Sequence, residues 1–95
     1  MAGLTKVKNL YLNKNKLTNV HSISNLVKML FLQFNDNEVT SIDCLAPLKI
    51  LDKLSFSRNK ISDIKCVSNF TKLTNLEASG NKITDISCLS KCIDL

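Results

Sequence analysis

Asparagine recurs at Asn15, Asn37, Asn59 and Asn81, always 22 residues on, with no insertion or deletion between copies. Each copy is numbered here from its first apolar position, filled by Val7, Met29, Leu51 and Leu73. Slots 1, 4, 6, 11, 14, 17 and 20 then hold apolar residues in all four copies, with Ala78 and Cys92 the weakest of them. A unit this short cannot enclose its own apolar side. It buries that side only against a neighbouring unit, so a strict period of 22 predicts a stacked solenoid.

Within a unit, slots 4 and 6 alternate with polar residues, as in Asn9-Leu10-Tyr11-Leu12 and Lys53-Leu54-Ser55-Phe56. That period of two predicts a short half-buried strand with slots 3, 5 and 7 facing outward. Slots 11, 14, 17 and 20 step by three, which suits turns or 3₁₀ segments. An α-helix would mix steps of three and four. The asparagine of slot 9 ends the strand and turns inward, where an amide that both donates and accepts can satisfy free backbone groups. Asn15, Asn37, Asn59 and Asn81 are therefore expected to form a structural ladder.

The pattern is plainest from Leu73 to Asp94, L-T-N-L-E-A-S-G-N-K-I-T-D-I-S-C-L-S-K-C-I-D. It resembles the 22-residue class of leucine-rich repeat, which includes a regulatory subunit of type-one protein phosphatase, a ciliary dynein light chain and the bacterial internalins. The resemblance covers residues 4–95. It implies an α/β leucine-rich repeat solenoid, with short parallel strands on the concave face and 3₁₀ or irregular segments on the convex face. It also implies that the concave sheet binds another protein, and it leaves open which one.

Residues 1–95 read as one leucine-rich repeat domain, with repeats 7–28, 29–50, 51–72 and 73–94. Leu4 sits at slot 20 of an incomplete earlier unit and Leu95 at slot 1 of a later one, so a fragment of a longer array is expected, with self-association through uncapped ends as an alternative. Net charge is +5, from 13 basic and 8 acidic residues. The charges are scattered, without a continuous basic stripe carrying interleaved aromatics, and a nucleic-acid partner is not expected. Lys6, Lys8, Lys14 and Lys16 break every possible signal-peptide core, and no apolar run is long enough to span a bilayer. An intracellular, cytoplasmic or nuclear protein is expected, without membrane attachment. Asn69-Phe70-Thr71 is formally a glycosylation sequon and is taken as fortuitous in that setting.

Cys44, Cys66 and Cys88 all occupy slot 16, and Cys92 slot 20. The repeat accounts for their spacing, so they read as reduced, semi-buried packing residues. A zinc site on Cys88 and Cys92 with Cys66 lacks the usual C-x-x-C pairs. No metal and no cofactor is expected.

Function then rests on the outward slots, which vary between copies while the core slots do not. Tyr11 and Phe31 are the aromatic residues among them, and Tyr11, Phe31, Gln33, Ser55, Arg58 and Glu77 form the expected partner-binding set. Asn13 is taken as a bystander on this face, and lone His21 as a surface residue. An enzyme is not expected, because the chain has no glycine-rich phosphate loop, no paired carboxylates at a defined site and no nucleophile beside a base. A protein-interaction module is the leading reading, with a regulatory subunit of a protein phosphatase or similar signalling enzyme as the alternative.

Overall fold

The computed structural model describes residues 6–87 and Leu89. Slots 3–5 of every copy form a three-residue strand: β1 Asn9–Tyr11, β2 Phe31–Gln33, β3 Lys53–Ser55 and β4 Asn75–Glu77. The four lie side by side in chain order as one parallel sheet. Equal slots pair without slip, Leu10 with Leu32, Leu32 with Leu54 and Leu54 with Leu76. A slip of one residue would turn each of these leucines into water, which is why the register is so strongly specified. The return path carries 3₁₀ turns at His21–Ile23, Asp43–Leu45 and Lys65–Asn69. Each delivers the slot-17 residue, Ile23, Leu45 or Val67, to the interior. Among the described residues there is no α-helix, and no helix long and apolar enough to cross a membrane.

Every fully buried apolar side chain among the described residues occupies one of the seven repeating slots. At the centre the rings of Phe34 and Phe56, both in slot 6, stack with centroids 5.8 Å apart. Burying such a ring contributes about 1.5–3 kcal/mol. The outer coils hold less: Leu10, Leu12, Leu17, Leu76, Ala78 and Ile83 are only half-buried. Ile86, in the inward slot 14, departs from expectation and is 64% exposed. It lies on the last described coil, where no further described coil covers it. Leu4, Cys88, Cys92 and Leu95 fall outside the described residues.

The asparagine column binds each coil to the one before it. Asn37 accepts with Oδ1 from the backbone N–H groups of Asn15 and Leu17, at 3.0 and 2.9 Å. Its Nδ2 donates to the carbonyls of Leu12 and Phe34, both at 2.9 Å. Asn59 repeats the arrangement, accepting from Val39 and donating to Phe34 and Phe56. Asn81 accepts from Ile61 and donates to Phe56 and Ala78. Asn15 is exposed, and among the described residues its side chain holds only the carbonyl of Asn13 in its own coil. These amides replace the water that the strand ends lose when coils stack.

Slot 8 carries a second regularity. Lys14, Asp36, Arg58 and Gly80 all have positive φ, between 57° and 71°. The left-handed residue lets the strand end without losing its ladder. The N–H of Lys14 still reaches Asn35 at 2.9 Å, that of Asp36 reaches Ser57 at 2.9 Å, and that of Arg58 reaches Ser79 at 2.7 Å. Three of the four positions hold side chains that this conformation disfavours. The inter-coil hydrogen bonds hold them there.

On the convex side, Cys44 and Cys66 are half-buried and packed on the core. Cys66 Sγ donates to the carbonyl of Ile42 in the preceding coil at 3.2 Å. Burial pushes the Cys44 thiol above its ordinary pKa.

Candidate protein-binding face

Strict register turns equal slots into rows across the concave sheet. The slot-3 row runs Asn9, Phe31, Lys53, Asn75, and the slot-5 row runs Tyr11, Gln33, Ser55, Glu77. Adjacent parallel strands are about 4.8 Å apart, so each row is a line of touching side chains. At β3 the line dips. Ser55 is 6% exposed and sits between the longer Gln33 and Glu77, leaving a hollow of about 320 Å³. Its rim is formed by Tyr11, Phe31, Gln33, Lys53, Asn75 and Glu77. Tyr11 is 59% exposed, Phe31 is half-buried, and the Lys53 ammonium lies 5.4 Å from the centre of the Phe31 ring.

Five of the six residues expected to bind a partner therefore surround one hollow, and the sixth does not. Arg58 stands outside it, forked onto the Asp36 carboxylate of the previous coil, with Nη2 at 2.9 Å from Oδ2. That hydrogen bond holds the Asp36 carboxyl below its ordinary range and raises Arg58. Lys60 and Glu38 approach less closely, at 3.8 Å, one column over. Ser55 forms the floor, and its hydroxyl donates to Asn35 Oδ1 at 2.7 Å, leaving it little to offer a ligand. Lys53 and Asn75 belong to the rim although only Phe31 was singled out in their row; sharing slot 3 with Phe31 was the signal.

Asn13 needs correction. It belongs to an inter-coil column through slot 7, not to an idle surface. Asn13 Oδ1 accepts from the Asn35 N–H at 2.8 Å, and Asn35 Oδ1 accepts from the Ser57 N–H at 2.6 Å. Ser57 and Ser79 continue it through their hydroxyls. Asn13 Nδ2 also donates to Gln33 Oε1 at 3.1 Å, which fixes the orientation of a rim residue. Among the described residues every buried side-chain nitrogen or oxygen has a partner, and no group of His, Cys, Asp and Glu is placed to hold a metal ion.

A family model described as leucine-rich repeats, two copies, matches residues 51–95. No curated protein matches the chain. Among solved structures, internalin C2 of Listeria monocytogenes aligns with 99% of this chain at 33% identity and a TM-score of 0.96. A second internalin of that organism, inlF, aligns with 99% of the chain at 30% identity, also with a TM-score of 0.96. The chain spans 42% of the first internalin's length and 28% of the second's. A plant peptide hormone receptor, solved as a complex, shares the fold at 21% identity and a TM-score of 0.82, over 96% of this chain and 16% of the receptor.

Proposed function

We propose that this chain, a leucine-rich repeat protein with internalin-like coils, is a non-enzymatic module that binds a protein partner on its concave sheet. The observation that carries the reading is the hollow above Ser55, rimmed by a largely exposed Tyr11 and a half-buried Phe31. Aromatic side chains supply large contact area at little entropic cost and dominate the energy of protein interfaces. At about 320 Å³ the hollow lies at the small end of ligand pockets and suits one side chain of a larger partner. The leucine-rich repeat fold commonly serves protein binding, and the plant receptor noted above was solved in a complex. The phosphatase-regulator alternative has no feature of this face behind it. An intracellular setting, cytoplasmic or nuclear, belongs to the same proposal, and fractionation of the native protein checks it.

The test is a displayed library of short random peptides selected on the full chain. Binders are then measured on Tyr11→Ala, Phe31→Ala and a convex control, Lys65→Ala. Concave binding loses about tenfold or more in affinity on the two aromatic variants and nothing on the control. Melting temperatures of the variants separate a lost anchor from a lost fold. Binders that respond only to Lys65→Ala would move the site to the convex face.

A further inference from the structure

We infer that the hollow above Ser55 takes an acidic side chain, presented by a partner segment that also lays an apolar residue against Tyr11 and Phe31. The inference rests on the concave sheet being the binding face, and it follows from which hydrogen-bonding groups the fold leaves over there. The Asn35 N–H donates to Asn13 Oδ1, so Asn13 Nδ2 is the end of that amide left to donate. Its acceptor is Gln33 Oε1, which leaves the Gln33 amino group turned loose at the rim. Lys53 contributes an ammonium on the same side of the hollow, and Asn75 an amide beside it in the slot-3 row. Ser55 has its own proton committed to Asn35 and leaves no donor on the floor.

The rim thus carries an amino group on β2 and a cation on the neighbouring β3, both with spare donors. Arg58, the single arginine of the sequence, already forks onto Asp36, and Lys53 is the cation lining the hollow. Glu77 is the one carboxylate of the rim, and it stands on β4. It repels an incoming anion from that side and directs it toward Lys53 and Gln33. A carboxylate accepting from an ammonium and an amide makes charge-assisted hydrogen bonds, stronger than those of a neutral occupant. The same ammonium lies 5.4 Å from the centre of the Phe31 ring, so the complementary segment is an acidic residue close to an aromatic or aliphatic one.

The peptides selected above supply the probe. They are expected to share an Asp or Glu near an apolar residue, and their affinity to fall about tenfold or more on Lys53→Glu. Lys53→Gln should lose less, Glu77→Gln should bind more tightly, and replacing the peptide's acid by its amide should match the loss seen with Lys53→Gln. Lys53 and Glu77 are both exposed, and unchanged melting temperatures confirm that the variants are folded. Peptides that lose affinity on Phe31→Ala but carry no acid and ignore Lys53→Glu would overturn the acidic socket while leaving the concave reading standing. Peptides indifferent to every concave substitution would overturn both.

Discussion

Three carbonyls and a backbone N–H converge on the amide of Asn59, which is 7% exposed. Replacing it with alanine leaves buried backbone groups without partners, so Asn59→Ala should lose about 1–3 kcal/mol. Asn15→Ala, at the exposed head of the same column, should stay within about 0.5 kcal/mol of wild type. Urea midpoints of the two variants check the difference, and equal midpoints would remove the ladder from the account. Asp36 adds a pH-dependent contribution. The hydrogen bond from Arg58 lowers its folded pKa below the unfolded value. The pair therefore stabilises the fold at pH above the ordinary carboxylate range, and that stabilisation disappears as pH falls through the lowered value. Asp36→Asn should melt below wild type near neutrality, and the two melting curves should converge in acid. Arg58 is exposed and Asp36 only partly buried, so the gap is small and shrinks with added salt.

The element that distinguishes this sheet is the left-handed residue closing each strand. At Gly80, φ is +71°, and an added Cβ would meet Arg58 Cγ at 3.0 Å and Arg58 backbone at 3.3 Å. Gly80→Ala should therefore destabilise by about 1–2 kcal/mol, from left-handed strain and crowding together. Lys14 is the reverse case, an exposed lysine at φ 60°. Lys14→Gly removes the strain, of about 1–2 kcal/mol, against a chain-entropy cost of about 0.5–1 kcal/mol. A net gain of some tenths of a kcal/mol or more should appear as a raised melting temperature. Substitutions of opposite sign at equivalent slots test the strand-closing geometry itself. Two losses would show that side-chain packing, not φ, governs the turn.

Across the whole molecule, stability is graded because each coil is held only by its neighbours. Phe56 stacks on Phe34 in the middle of the array and is fully buried. Phe56→Ala should lose about 3–5 kcal/mol. Leu76→Ala, on the half-buried outer strand β4, should lose about 1–2 kcal/mol. Hydrogen exchange should follow the same order, with the amides of β2 and β3 protected longer than those of β1 and β4. Uniform protection across the four strands would mean that the coils unfold as one unit and that the outer ones gain support elsewhere.

The period of 22 was enough to determine the architecture, because a polar group at an inward slot or a leucine turned outward costs free energy in every copy at once. That pressure wrote the core, the register and the asparagine ladder into residue types that can be read off Leu51, Leu54, Phe56, Asn59 and Ile61. It also marked Tyr11, Phe31 and Glu77 as outward-facing, since the alternation leaves them no other side. It did not show that Ser55 forms the floor of a hollow, because depth depends on Gln33 and Glu77, each 22 residues away. Nor did it show that Asn13 sets the donors of Gln33, that Arg58 is taken by Asp36, or that slot 8 is left-handed. Lysine, aspartate, arginine and glycine share no chemistry at that slot. What Lys14, Asp36 and Arg58 share is a backbone N–H that reaches the next coil, and only the stacked structure creates that demand.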